Sequence, residues 1–386
     1  MQELSALLQE QSVLVPEANT SLMLLHHKLV FLAASLLMLS RVAIALDDHF
    51  QVISPEFNSV LGSHPTLTLL YTAKKPLFHE GAIYDPPTKS LFVSSNQIDT
   101  KAPSPVTNDK LIIISRVSGL YSPSSVKIEQ ILAPEIPLPN GGVRYLPSPD
   151  GSNNKLLWCA QGTLNASPPN GIVAMTPTPP YNTTNILSSY YGIPFNSPND
   201  VVVAQDGSIW FTDPIYGFVQ GVRPAPKLPG QVYRFDPSTN STRAIADGFW
   251  RPNGLAFDVN EKVLYVTDTG QAVGEGTKNF QRPASIYAFD VQKGANGQIF
   301  VANRRLFAYA TNGIPDGVKV DYRGNVYSGV GDGVAVWNSR GDLIGKILID
   351  GGCANFGFGE PGVLFLLNEE RLFRADISTA VKGVAS

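Results

Sequence analysis

The chain has 386 residues, 43% of them hydrophobic and 16% charged, with a formal net charge of −3. That charged share lies well below the roughly 25% of an average soluble domain, which counts against a coiled coil, a long charged helix or an acidic disordered tail. No basic stripe accompanies the slightly acidic balance, so nucleic acid is not expected as a partner. Glycine (34) and proline (30) are in excess, too little for collagen or disorder and suited to many turns. With 19 Phe, 14 Tyr and 4 Trp favouring strands, the composition predicts a large, turn-rich all-β domain.

Residues 29–39, LVFLAASLLML, form an uninterrupted apolar run between His26-His27-Lys28 and Ser40-Arg41-Val42-Ala43-Ile44-Ala45. A basic flank, an apolar stretch of about 7–15 residues and a small-x-small site describe a secretory signal peptide, cleaved after Ala45. Arg41 and the residues ahead of Met23 depart from that pattern. The alternatives are a start at Met23 or retention as a membrane anchor, although the run is short for a span of about 20 residues. Contact with a membrane is expected only if the segment is retained. Asn19, Asn165, Asn182 and Asn240 each open an N-glycosylation sequon, which agrees with secretion. Cys159 and Cys353 either pair, as a secreted chain allows, or remain buried thiols. Two Cys and five His are too few for a zinc cluster of the usual spacing.

Beyond residue 70 one unit recurs: a polar residue, usually followed by Gly, opens a short apolar strand, and a second strand follows about ten residues on. Its copies start at Glu80, Asn140, Asn199, Asn253, Asp316 and Asn355. Further strand-like runs, such as Gln231-Val-Tyr-Arg-Phe, Ser285-Ile-Tyr-Ala-Phe and Gly333-Val-Ala-Val-Trp, give each unit room for four strands. Repeats of about 40–60 residues with four strands predict a six-bladed β-propeller over 65–380. An N-terminal extension (1–45) and a lead-in (46–64) precede it, and a tail (381–386) follows. The final Arg371-Leu-Phe-Arg-Ala strand is expected to share a blade with the start of the ring. The Pro-rich stretches at 168–180 and 222–229 read as surface loops.

Equivalent positions of a propeller face one another across a central channel. Here all six leading residues carry side-chain oxygens. Two carboxylates and four amides converging on one axis suit a hard cation such as Ca²⁺. The plainer reading is that Asn-Gly and Asp-Gly make turns; it accounts less well for six in register, and not for Glu80.

The segments Phe78-His-Glu-Gly-Ala82, Ser197-Pro-Asn-Asp-Val-Val-Val203, Asp206-Gly-Ser-Ile-Trp-Phe-Thr-Asp-Pro-Ile-Tyr-Gly217, Arg251-Pro-Asn-Gly-Leu-Ala-Phe257 and Ile314-Pro-Asp-Gly-Val-Lys-Val-Asp321 carry a resemblance. The chain resembles the SMP-30/gluconolactonase/LRE-like family. That resemblance implies a six-bladed propeller with one divalent cation in the channel, usually Ca²⁺, with Zn²⁺ or Mg²⁺ as alternatives. It implies Glu80, Asn253 and Asp316 as metal ligands, Asn199 as a fourth ligand or substrate contact, and Asp316 as the catalytic carboxylate. The expected reaction is hydrolysis of a small-molecule lactone or ester. The metal polarises the carbonyl, and Asp316 acts as general base or as nucleophile.

Many sugar-lactone members carry Arg two residues before the Asn of the Pro-Asn-Asp motif; this chain has Ser197. Arg144, near the start of the second repeat, is the candidate substitute for substrate binding. His79 beside Glu80 is expected to point away from the axis as packing or surface. A phosphotriesterase, a tailoring enzyme of secondary metabolism, or a scaffold with structural calcium are the competing readings, since fold alone proves no activity.

Overall fold

Short apolar runs punctuated by Gly, Pro, Asn and Asp form antiparallel strands, and these assemble into six sheets of four or five strands. The structure is a computed structural model that describes residues 48–100, 107–148, 153–165, 167, 169–274 and 277–384. The apolar run at 29–39, its cleavage site and the Asn19 sequon lie outside the described residues. Among the described residues no helix is long and apolar enough to cross a membrane.

The sheets are the blades of a six-bladed β-propeller, as the repeat predicts. Their innermost strands are Glu80–Asp85, Pro139–Tyr145, Val201–Val203, Pro252–Phe257, Val318–Val320 and Phe356–Phe358, called blades one to six below. Within each blade the chain runs outward as a meander. In blade one, Glu80–Asp85 and Ser90–Ser94 are wholly buried, while the outermost strand Lys127–Ile131 is largely exposed. This gradient explains why inner strands read as continuous apolar runs and outer strands as polar ones.

Adjacent blades pack face to face through their large side chains. Trp158 of blade two meets Ile83 and Phe92 of blade one. Phe211 and Tyr233 of blade three pack with Val143 and Leu157 of blade two. Cys159 and Cys353 are free, buried, and sit in different interblade cores, so they behave as small hydrophobes.

The ring closes as expected. Strand Thr66–Thr72 pairs antiparallel with Arg371–Asp376, with Leu67 opposite Ala375 and Leu69 opposite Phe373, so both ends of the ring share blade six. Two further stitches were not anticipated. In the lead-in, Phe50–Val52 adds a fifth strand to blade five by pairing with Leu343–Leu348, and the short helix Phe57–Leu61 buries Phe57 against Gly345. In the tail, Gly383 bridges Asp321 and Val384 donates to the carbonyl of Val320, across the end of the inner strand of blade five. One expectation is corrected: within the Pro-rich stretch 168–180, Gly171–Met175 is a fully buried strand of blade two. Its Ile-Val-Ala-Met run satisfies the interblade core, and the prolines only bound it.

Candidate active site

Every inner strand begins at the same end of the ring. Three of the leading residues sit beside breaks in strand register, between Glu80 and Ile83, between Pro252 and Leu255, and opposite Asn140 between Trp158 and Ala160. Such bulges re-aim a side chain away from the regular alternation. The glycines that follow serve close approach more than turning. A Cβ on Gly254 would lie 2.6 Å from the carbonyl oxygen of Asp316, and one on Gly317 would lie 2.3 Å from Oδ1 of Asn355. Only Gly81, at φ +84°, needs a left-handed backbone as well.

The six leading residues are joined blade to blade. Ser94 Oγ donates to the carbonyl of Asn140 at 2.8 Å, and Asn140 Nδ2 to the carbonyl of Asn199 at 3.1 Å. Thr212 Oγ1 donates to the carbonyl of Asn253 at 2.6 Å, and Thr267 Oγ1 to that of Asp316 at 2.9 Å. Gly317 N–H reaches Ala354, and Asn355 Nδ2 returns to Glu80 Oε2 at 2.6 Å, which completes the circle. The acids after those threonines act on their own blade. Asp213 accepts the N–H groups of Asn196 and Ser197, and Asp268 those of Trp250, Arg251 and Gly270. Each thus fixes the loop leading into Asn199 or Asn253. The repeated Thr-Asp at 212–213 and 267–268 was visible in the sequence and is the signal that could have found this frame.

The ring is electrostatically unbalanced. Burial, then the nearby Asp316, pushes the Glu80 carboxyl up; burial pushes Asp316 up too, although His79 opposes it. Asn199 Oδ1 and Asp316 Oδ1 are buried without a hydrogen-bond partner. Buried oxygens without donors, beside two crowded carboxylates, fit a cation held by Glu80, Asn199, Asn253 and Asp316. Among the described residues no group of three or more His, Cys, Asp or Glu side chains is placed to hold a metal; the set named here has two carboxylates and two amides.

The surroundings are specific. His79 Nδ1 lies 2.7 Å from Glu369 Oε1, while Glu369 Oε2 accepts from Asn96. Burial works against a charged His79, but Glu369, together with Glu80 and Asp316, lifts the ring to about 9. Tyr216 was missed in the sequence. It is bonded to Thr269 and within reach of Asn253, and burial, with Asp316 nearby, pushes its phenol up to about 12. Next to Asn199, Asp200 is 1% exposed, and its Oδ2 faces Lys319 Nζ at 3.9 Å.

Ser197 is buried, donating to the carbonyl of Pro214 and accepting from the N–H of Gly217. The buried guanidinium nearby, Arg223, is spent on the carbonyls of Asn196, Thr163 and Phe195. Arg251 is likewise bound to the carbonyls of Ala272 and Val273. Arg144 is not brought to the site. It lies four residues down the inner strand from Asn140, about 13 Å at strand rise. There it pairs with Asp85 and Asn154 and lines a depression of about 250 Å³ with Tyr84, Phe358 and Lys382 at the opposite mouth.

The SMP-30/Gluconolactonase/LRE-like region matches residues 148–366, more than half of the chain. A lactonohydrolase of Aspergillus oryzae is 26% identical over 318 residues, 78% of this chain and 67% of that protein. A gluconolactonase of Zymomonas mobilis is 29% identical over 201 residues, 50% of this chain and 54% of that protein. The solved structure of a gluconolactonase from Xanthomonas campestris superposes with a TM-score of 0.64 at 26% identity, covering 85% of this chain and 94% of that one.

Proposed function

Because the chain belongs to the SMP-30/gluconolactonase/LRE-like family, we propose that it hydrolyses a lactone to a hydroxy acid at the channel mouth framed by Glu80, Asn199, Asn253 and Asp316. The lactonohydrolase and gluconolactonase relatives support the reaction class. The observation that carries the reading is the pair of buried, unpartnered oxygens, Asn199 Oδ1 and Asp316 Oδ1, in that frame. Those four residues would hold one divalent cation. An all-oxygen donor set favours Ca²⁺ over Zn²⁺, which prefers nitrogen and sulfur, and over Mg²⁺, which keeps its waters. When bound, the cation supplies Lewis-acid polarisation of the lactone carbonyl.

The chain's own residues supply the rest. Asp316 either takes a proton from water, whose oxygen then attacks the acyl carbon, or attacks the acyl carbon itself to give an acyl-aspartate that water hydrolyses. The ring acyl–oxygen bond breaks, and the departing alkoxide takes up the proton that the water gives up. Tyr216, kept protonated by burial, is placed beside Asn253 to donate a hydrogen bond at the mouth. Thr267 and Thr212 fix the backbones from which Asp316 and Asn253 project.

The test is turnover of a lactone panel before and after EDTA, with Ca²⁺ restored, alongside Asp316→Asn. Chelation and the substitution should each lower turnover at least about a hundredfold with unchanged circular dichroism. Undiminished turnover in either case removes the mechanism. We also infer that the protein is secreted and N-glycosylated, a reading supported by the exposure of Asn165, Asn182 and Asn240. Protein retained inside cells, with no mobility shift on glycosidase treatment, would overturn it.

A further inference from the structure

The segment before Asn140 reads Leu132-Ala-Pro-Glu-Ile-Pro-Leu-Pro-Asn140, with prolines at 134, 137 and 139. It links the outermost strand of blade one to the innermost strand of blade two, at the end of the ring where Glu80 and Asn140 lie. Beside it opens a cavity of about 680 Å³, within the range of about 300–1,000 Å³ typical of small-molecule sites. Its wall is mostly aliphatic and includes Ile112, Leu132, Ile136 and Leu138. Pro139, also in the wall, is the residue before Asn140, so the cavity and the ring are one residue apart.

Three features make this more than a surface dent. Proline fixes φ, so the wall is set before any ligand arrives. Leu138 holds a left-handed φ of 49°, rare for a residue with a branched side chain, and thereby packs with Ile112 and Val222. The ammonium in the wall, Lys110, is already paired with Asp99 at 2.6 Å. At the lip, Leu132 is 90% exposed and Leu111 43% exposed, so apolar surface stands uncovered where a ligand would enter. The nearby guanidinium of Arg223 is spent on backbone carbonyls, that of the wall residue Thr163 among them. The polar side chains of the wall, Thr100, Thr107, Gln130, Thr163 and Ser167 beside the paired Lys110, are outnumbered by its aliphatic residues and prolines, so most of the wall answers a hydrocarbon.

We propose that this cavity binds the apolar substituent of the lactone, so that the substrate is an alkyl- or aryl-substituted lactone and not a polyhydroxylated sugar lactone. The inference rests on the hydrolase reading above, because it takes the ring beside Asn140 as the reaction centre. It assigns Leu132, Ala133 and Ile136 to substrate selection and leaves the chemistry to the channel.

The experiment compares γ-butyrolactone, γ-nonalactone, γ-dodecalactone and D-glucono-δ-lactone as substrates of the wild-type chain, Ala133→Trp and Leu132→Asp. Equilibrium dialysis of γ-dodecalactone with each protein is the second readout. Each buried methylene should raise kcat/KM by up to about fourfold, so the long-chain lactones should exceed γ-butyrolactone by at least about tenfold. Both substitutions should erase that preference and weaken γ-dodecalactone binding. Leu132→Asp alters an exposed side chain, so it keeps the test open if Ala133→Trp fails to fold. Turnover that is flat with chain length, or a preference for D-glucono-δ-lactone, overturns the inference and leaves the hydrolase reading standing. Binding that depends on Leu132 and Ala133, without turnover of any lactone, supports the cavity and sinks the hydrolase reading.

Discussion

The side-chain amide of Asn355 donates a 2.6 Å hydrogen bond to Oε2 of Glu80, joining the leading residue of the last blade to that of the first. It is the point where the chain, having travelled the whole ring, meets the carboxylate it started from. The oxygen of the same amide accepts the N–H of Phe356, so Asn355 is held at both ends. Asn355→Ala should destabilise the domain by about 1–3 kcal/mol, because a buried carboxylate loses a donor. Asn355→Asp should be worse than Asn355→Ala, since it places another carboxylate against Glu80, and added Ca²⁺ should recover part of the loss. Urea unfolding with and without Ca²⁺ measures both. An Asp variant as stable as wild type in EDTA would show that Glu80 does not need this donor.

Lys319 and Asp200 form the second charged contact of the channel. The two groups are 3.9 Å apart, and both side chains are nearly sealed from water. Burial pushes the Asp200 carboxyl up, and Lys319 pulls it back. Lys319→Met should cost about 3–5 kcal/mol by leaving an uncompensated buried charge. Lys319→Met with Asp200→Asn should recover most of that, because removing both charges of a buried pair is often near neutral. A double variant no more stable than Lys319→Met would show that the lysine acts through packing and not through Asp200.

The ring of leading residues was legible in the sequence because it recurs. Each polar residue precedes a strand of the same pattern, and four of the six precede a glycine. The reason for the glycine was not legible. Asn253-Gly254 reads as a turn, yet Gly254 lies in a strand where the backbone of Asp316 passes too close for a side chain. Thr212 and Thr267 looked like ordinary strand residues, since their partners lie 41 and 49 residues away in the next blade. The fifth strand at Phe50–Val52 pairs with residues near 345, a contact that no local pattern encodes. Arg144 was misplaced for a geometric reason: lying near the start of a repeat in sequence still allows it to sit at the far end of the strand.

Asp213 ties pH to stability. The carboxyl is fully buried, and burial lifts it from 3.8 to about 7 against the pull of the Asn196 and Ser197 N–H groups and of Arg223. An acid raised in the folded state binds its proton there while the unfolded chain has already released it. Its contribution is therefore fully present below about pH 4 and is lost as pH rises to about 7. The span is on the order of 4 kcal/mol at 1.36 kcal/mol per unit. Asp213→Asn resembles the protonated acid and should flatten that slope. Urea unfolding of both proteins between pH 4.5 and 7.5 provides the difference. A wild-type advantage that grows with pH would mean that the two N–H groups and Arg223 outweigh burial.

Arg144 belongs to the far end of the first two inner strands. Its guanidinium lies 3.5 Å from the fully buried Asp85 and donates to Asn154, which itself donates to Asp85 at 2.6 Å. Asp85 also holds Thr88 through both its N–H and its hydroxyl. The cluster therefore fastens the turn at the end of the first inner strand, at the mouth opposite Glu80. With Asn154 and Thr88 still in place, Arg144→Ala should lower stability by about 1–3 kcal/mol. It should leave KM for any lactone unchanged, because no part of the side chain reaches the ring of leading residues. Steady-state kinetics beside thermal unfolding checks both statements. A raised KM at unchanged kcat would return Arg144 to the substrate site and require the lactone to enter from the mouth opposite Glu80.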